Sequence, residues 1–294
     1  MFLPALAHLR EDKHYTDTYL LQQWTGQLRQ PPADEKELVL VHNQWTNGNY
    51  YHWMVDALPR LLLLPLVPTS YRLLMLAPVP AFVRDSAALL GFTNFLALEP
   101  GETLSKTDLL VPEHVTPPGY QHPTLLRLLR EALLKAVYQG EAPPPTYRKV
   151  YVSRRRQQVR QLLNEADIAS VLTRHGYETV EFEGLSLVEQ VRLMAETITF
   201  VTVHGAGMTN MLFLSPGAQV AELLNADKLT RQLPEHFENL IYFRMAAALG
   251  LAYYCLPCAN VDHDPPTNNA HLCVDAVALD QLLRQMAAER VMPS

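Results

Sequence analysis

Short runs of β-branched and aliphatic residues recur along this chain, and an amphipathic stretch of helical spacing follows most of them. Residues 37–42 read as a strand, 50–64 as a helix with an apolar face, 71–77 as a second strand and 81–90 as a second helix. Residues 94–98 and 108–111 read as further strands, and 123–138 as a helix. This rhythm predicts a mostly parallel sheet covered by helices on both faces. It stops at Gly140-Glu-Ala-Pro-Pro-Pro-Thr146, because consecutive prolines can neither continue a helix nor donate into a central ladder. Beyond that stiff connection the pattern restarts. Strands are expected at 149–153, 177–182, 198–203, 218–224 and 251–255, with helices at 164–175, 186–196, 236–250 and 274–290. The reading is an α/β protein of two Rossmann-like domains, 1–142 and 143–294, whose parallel sheets face each other across a cleft. The last helix closes the fold, packing on its own domain or returning to the first.

The bulk numbers narrow the partners. A formal net charge of −6 provides no field to gather nucleic acid or anionic lipid. With 48% hydrophobic and 18% charged residues, the 294-residue chain has an ordinary globular balance. Its longest apolar run, residues 61–67, contains a proline and is far too short to span a bilayer. The first residues carry no secretory or anchor pattern. Three cysteines are too few for a disulfide framework, so a reducing, cytoplasmic setting is expected. Peripheral membrane contact and a homodimer both stay open.

The most informative segment is Ile198-Thr-Phe-Val-Thr-Val-His-Gly-Ala-Gly-Met-Thr-Asn210. An apolar strand runs into a turn of small residues, with a helix expected to open near Gly207. Gly205, Ala206 and Gly207 let a ligand approach the backbone, and unpaired N–H groups at a helix start suit a diphosphate. His204 can donate to a phosphate or sugar oxygen. Thr209 and Asn210 can do the same or cap the helix. The alternative is a tight strand–helix turn that binds nothing.

Val150-Tyr-Val-Ser-Arg-Arg-Arg156 is the partner signal. An arginine just past a strand can hold phosphate bidentately and neutralise a leaving group without metal. Ser153 and Arg154, nearest the strand end, are the expected contacts, while Arg155 and Arg156 are expected in solvent. Arg160 is balanced between ligand contact and structure. Glu222, at a strand end, is expected to accept ribose hydroxyls. Glu189 and Gln190 are expected at the surface rather than on ligand.

In the first half, Asn49-Tyr-Tyr-His-Trp-Met-Val-Asp-Ala-Leu-Pro-Arg60 is polar and aromatic where a core helix would be aliphatic. His52 and Asp56 are four apart and share a helix face. Asp56 can hold the imidazole in one tautomer, and the pair can take a proton from an attacking hydroxyl. Tyr50, Tyr51 and Trp53 offer flat surfaces for sugars. The alternative is a His–Asp pair bonded for structure alone.

Two patterns are discounted. Asp262-His-Asp264 is a carboxylate pair of the kind that binds a divalent cation, but it lies in a loop rich in Pro and Asn. Cys255, Cys258 and Cys273, with His263 and His271, match no standard zinc spacing.

Taken together, the segments Asn49–Arg60, Tyr151-Val-Ser-Arg154, Arg160 with Asn164-Glu165, Leu185–Gln190, His204–Asn210 and Glu222 resemble the family 61 glycosyltransferases. They occur in that family's order over roughly residues 38–256. The resemblance implies a GT-B architecture and inverting transfer from a nucleotide-sugar donor to a glycan or other hydroxyl acceptor, commonly of N-acetylglucosamine or a pentose. It implies no cofactor and no divalent metal. Carried over by residue, Ser153, Arg154, Arg160, His204, Gly205, Ala206, Gly207, Asn210 and Glu222 fall on the donor side, and His52 and Asp56 face the acceptor. The compact, anchorless form looks like bacterial members associated with surface polysaccharide synthesis. Rival expectations are a metal-dependent transferase using Asp262 and Asp264, and a nucleotide-sugar-binding protein without catalysis.

Overall fold

A computed structural model describes residues 27–42, 45–46, 48–65, 67–105, 108–114, 116, 120–227, 240–261 and 269–291. The chain divides into two compact units, Met1–Ala136 and Val137–Ser294. Among the described residues no helix is long and apolar enough to cross a membrane.

In the first unit, β2 (Glu37–Val39), β3 (Tyr71–Leu76) and β4 (Phe95–Leu98) form a parallel sheet in that order. A second parallel pair joins β1 (Gln27–Arg29) to β5 (Glu102–Leu104); both are three residues long, too short to show a periodicity in the sequence. The strand expected at 108–111 reduces to one bridge, Val39 to Leu110, closed by Leu40 N–H on Leu110 O and Leu110 N–H on Leu38 O at 2.9 Å each. Helices α1 (Ala81–Leu89) and α2 (Pro123–Val137) follow their expected spans closely. The expected helix over 50–64 does not run as one α-helix. One α turn at Tyr50–His52 widens into a π segment, Trp53–Ala57, and then tightens into a 3-10 helix, Leu58–Leu63. Pro59, which lacks an N–H, sits at the start of that last piece, where none is needed.

The second unit carries a six-stranded sheet of β6 (Arg148–Val152), β7 (Glu178–Val180), β8 (Thr197–Val203), β9 (Gln219–Asn225), β10 (Ala252–Asn260) and β11 (Leu272–Cys273). The order is β11-β10-β9-β8-β6-β7, parallel throughout except for β11. The five parallel strands therefore run 2-1-3-4-5, a doubly wound order whose direction reverses between β6 and β8. On one face, α3 (Glu165–Arg174) packs with α6 (Ala276–Val291) over Tyr151, Val201, Val203, Ala221 and Leu223. The opposite side chains of the same strands, Phe200, Thr202, Val220 and Glu222 among them, are also buried, as are the inner faces of α4 (Leu187–Ala195) and α5 (Ile241–Leu249). A 3-10 helix, Ala206–Phe213, contacts both α4 and α5.

β10 outlasts the expected 251–255 strand. Pro257 pairs with Leu224 of β9, yet its missing N–H costs nothing, because β11 engages β10 only at Ala259 and Asn260. The Asp262–Asp264 pair and the start of the helix expected from His236 lie outside the described residues.

Candidate functional site

Open parallel sheets bind ligands beyond the carboxyl ends of their strands, where the strand order reverses. Here those ends are the β6 end, which leads to Ser153 and Arg154, and the β8 end, which leads to His204 and Gly205. The sheet thus brings together the two segments that the sequence singles out separately.

Gly205 has φ 155° and ψ 178°, a conformation in the region open essentially to glycine alone. A Cβ built there would stand 2.6 Å from Arg154 Nη1 and 3.4 Å from Arg160 Nη1, so two guanidinium groups lie against this bare backbone. Arg160 itself has a left-handed backbone, φ 55°, uncommon for a non-glycine residue. Its Nη1 donates to His204 O at 3.5 Å. Gly207 is less constrained, since a Cβ there would meet the Phe182 ring at an ordinary 3.6 Å. The helix opens at Ala206, one residue before the expected point, and is 3-10 rather than α.

Arg154 carries the electrostatics. It makes no ion pair among the described residues, and its Nε is buried without a hydrogen-bond partner. Its guanidinium makes a long hydrogen bond, Nη2 to Val159 O at 3.4 Å. Burial pushes the guanidinium down to about 10, and the neighbouring Arg160 charge pushes the same way. Two like charges held together under a glycine turn are what an anion would relieve. Arg155 and Arg156, as expected, are exposed; both pair with Glu181.

Several expected ligand contacts have other partners in the fold. Glu222 is fully buried, and its two oxygens accept from His204 Nδ1 and Tyr253 Oη rather than facing open space for a ribose. Asn210, 1% exposed, donates to Gln190 Oε1 at 2.8 Å, and Gln190 donates to the Phe182 and Leu185 carbonyls. That amide pair ties the 3-10 helix to α4. Gln190 is thus a strut, where a surface residue was expected. Glu189 closes a capping box with Ser186. Ser153 is 1% exposed, and its Oγ accepts Arg155 N–H at 3.2 Å, shaping the bend that aims Arg154. Tyr242 and Tyr253 carry no sequence signal as functional residues; the packing of α5 and the placement of β10 bring them here.

In the first unit, His52 Nδ1 and Asp56 Oδ2 are 2.7 Å apart, the side chains 22% and 6% exposed. The Asn49 side chain caps the turn by accepting Tyr51 N–H and His52 N–H. Asp56 also acts on Arg60, a fully enclosed arginine that donates to the carbonyls of Val41 (2.6 Å) and Pro112 (3.1 Å from Nε). Burial brings Arg60 down to about 10, and the Asp56 charge counters it. A cavity of about 10 Å³, room for one water, opens between Asp56, Arg60, His114 and His122. The aromatic platform differs from expectation. Trp53 is completely buried with its indole N–H on Ser86 Oγ at 2.7 Å, and Tyr51 is buried as well. Tyr50 meets Phe82 edge-on. Beside His52 the exposed ring is Trp45, 50% accessible and 6.0 Å away.

No group of three or more His, Cys, Asp or Glu residues gathers to hold a metal among the described residues. Cys255 and Cys258 are three apart on β10 and so face opposite sides of the sheet, Cys258 among the α3–α6 core and Cys255 beside Tyr253 and Glu222. All three cysteines are unpaired thiols.

Residues 50–221 match the family described as Glycosyltransferase 61. An EGF domain-specific O-linked N-acetylglucosamine transferase of Drosophila melanogaster is 29% identical over 112 residues, 37% of this chain and 22% of that protein. The protein of that name from Rattus norvegicus is 29% identical over 115 residues, 37% and 22% of the two chains. The beta-1,2-xylosyltransferase XAX1 of Oryza sativa subsp. japonica is 32% identical over 124 residues, covering 40% and 22%. The matched part spans about a fifth of the length of these relatives. The family match runs over more than half of the chain, from the His52 segment through β6 and the β8 turn, and on that ground this protein belongs to the glycosyltransferase 61 family.

Proposed function

We propose that this chain is an inverting glycosyltransferase that takes its sugar from a nucleotide-sugar donor. The observation that carries the reading is Arg154: a half-buried guanidinium with no ion-pair partner among the described residues and a buried, unbonded Nε, lying against the Gly205 backbone at the switch point of a parallel sheet. A diphosphate there is met by Arg154 and Arg160, by His204, and by the backbone of Gly205, Ala206 and Gly207. Ser153 and Asn210 support that turn, and Glu222 acts from behind His204.

The reaction is a single displacement. His52, oriented by Asp56, takes the proton of the acceptor hydroxyl. The acceptor oxygen bonds to the anomeric carbon as that carbon's bond to the diphosphate oxygen breaks, and the nucleoside diphosphate leaves with the electron pair. Its charge is met by fixed guanidinium groups, so the reading needs no divalent metal. A GT-B arrangement, with acceptor chemistry on the first unit and donor chemistry on the second, belongs to the same reading. So do a glycan acceptor, a role in surface polysaccharide synthesis and a cytoplasmic setting.

The relatives' names point first to N-acetylglucosamine and xylose. The test is calorimetric binding of UDP, UDP-N-acetylglucosamine and UDP-xylose, followed by nucleoside diphosphate release with acceptor saccharides present. Saturable binding that Arg154→Ala abolishes is the expected result. Absence of binding to any nucleoside diphosphate overturns the reading. Loss of activity in excess chelator would turn attention to Asp262 and Asp264.

A further inference from the structure

Three strands deliver one line of polar groups beneath the anion turn. His204 leaves the end of β8, Glu222 lies inside β9, and Tyr253 sits near the start of β10. Glu222 is 0% exposed and accepts from both neighbours, His204 through Nδ1 and Tyr253 through its hydroxyl. Its opposite number on β8, Thr202, turns its hydroxyl to Val152 O at 2.8 Å and takes no part. The groups facing His204 are Glu222 from β9, Tyr242 from α5 and the Arg154–Arg160 pair from the segment after β6, with Tyr253 of β10 behind Glu222. Glu222 and Tyr242 touch the ring of His204, and Arg160 reaches the His204 carbonyl. The His204 backbone N–H donates to Leu223 O at 3.0 Å, and its ring meets Tyr242 edge-on at 5.3 Å. Tyr242 in turn donates to Gly205 O at 2.7 Å.

The proton positions follow from charge. Burial, and then the Glu222 carboxylate beside it, pushes the Tyr253 phenol far above its ordinary range, so the hydroxyl keeps its proton and is the donor of that pair. A carboxylate accepting from Tyr253 on one oxygen offers the other to an N–H, which places a hydrogen on His204 Nδ1. A carboxylate buried for packing alone is costly, since an apolar pair of the same volume would serve as well or better. Its hold on His204, the residue before Gly205, supplies the reason to keep it.

We infer that Tyr253 and Glu222 are positioning residues for His204: they lock the ring as its Nδ1–H form, so that Nε2 is the nitrogen that meets a phosphate or hydroxyl oxygen bound at the Arg154–Gly205 turn. The inference rests on the anion site proposed above. It gives Glu222 a place behind the imidazole instead of on the ribose, and it brings in Tyr253, which lies beyond the family match.

The test is long-range proton–nitrogen NMR of the histidine side chains, with His204→Gln for assignment, before and after addition of inorganic pyrophosphate. Wild-type protein is expected to show a strongly deshielded Nδ1 proton on His204 and a pyrophosphate-dependent shift at Nε2. Tyr253→Phe removes one oxygen and no packing; it is expected to move the Nδ1 proton and to weaken pyrophosphate binding about three- to tenfold. Glu222→Gln is expected to abolish the deshielded signal. A wild-type ring protonated on Nε2 alone, or a Tyr253→Phe ring identical to wild type, overturns the positioning role and leaves the Arg154 site standing. Pyrophosphate that shifts neither nitrogen in wild type overturns the anion site itself and the inference with it.

Discussion

Arg154 occupies the space that a side chain at position 205 would need: a Cβ there would lie 2.6 Å from Nη1 and 3.2 Å from Cζ. Gly205→Ala therefore combines a disfavoured backbone, of about 1–3 kcal/mol, with displacement of the guanidinium. The expected outcome is a lower Tm together with at least tenfold weaker UDP binding. Arg154→Ala is expected to lose the binding while keeping the fold. Combining the two relieves the clash but not the strain, so the double variant should recover part of the Tm and none of the affinity. Thermal unfolding and calorimetry on the three proteins check this.

His52 and Asp56 make a second, separable prediction. The carboxylate is nearly enclosed, and it serves both the imidazole and the neighbouring Arg60. Asp56→Asn keeps the shape but removes the charge that orients His52 and offsets Arg60. Turnover, read as nucleoside diphosphate release, is expected to fall about 10²-fold or more, with UDP affinity unchanged. His52→Ala should fall by a similar factor. Full turnover in either variant removes the pair from the proton transfer.

What the sequence made legible was whatever its own neighbours specify. The strand–helix rhythm, the break at Pro143–Pro145, the (i, i+4) contact of His52 with Asp56 and the solvent-facing Arg155 and Arg156 are local, and pattern reads them. Strand order is not local. Nothing in residues 148–203 announces that β6 and β8 are neighbours, yet that adjacency places Arg154 against Gly205. Glu222 shows the same limit from the other side. Its position in a strand can be read, but its partners come from the end of β8 and from β10, the strands on either side of it in the sheet. The π segment at Trp53–Ala57 is not legible because a pattern of period near 3.6 cannot distinguish a widened turn, and the burial of Trp53 and the place of Trp45 beside His52 depend on packing that the pattern does not carry.

Asn210 and Gln190 supply a prediction about stability. Their 2.8 Å amide contact, with Gln190 also donating at 3.2 Å and 3.0 Å to the Phe182 and Leu185 carbonyls, joins three segments by part-buried hydrogen bonds. Asn210→Ala leaves Gln190 Oε1 without that donor and is expected to cost about 1–3 kcal/mol in urea unfolding. A double-mutant cycle with Gln190→Ala should show a coupling of about 1 kcal/mol, because each single variant already breaks the shared contact. Strict additivity would mean that the two side chains do not depend on each other.

Asp280 on α6 collects three partners: Arg174 Nη2 at 2.7 Å and His175 Nε2 at 2.8 Å from the end of α3, and Arg284 Nη2 at 2.8 Å from its own helix. Hydrogen bonds from His175 and then Arg174 hold its carboxyl down at about 2, against an ordinary 3.8. A carboxyl that is more acidic folded than unfolded stabilises the fold above its unfolded value, and that contribution disappears as pH falls through the folded one. The clasp between α3 and α6 is therefore at full strength above about pH 4 and fades between there and about pH 2. Asp280→Asn should be less stable than wild type at pH 6, and the gap should close on acidification through that window. The two arginine partners are exposed and screened by salt, so added salt should narrow the gap at pH 6 as well. Urea unfolding of the two proteins from pH 6 to pH 2 reads it directly. A gap that stays constant across the window would show that Asp280 contributes through packing and not through its charge.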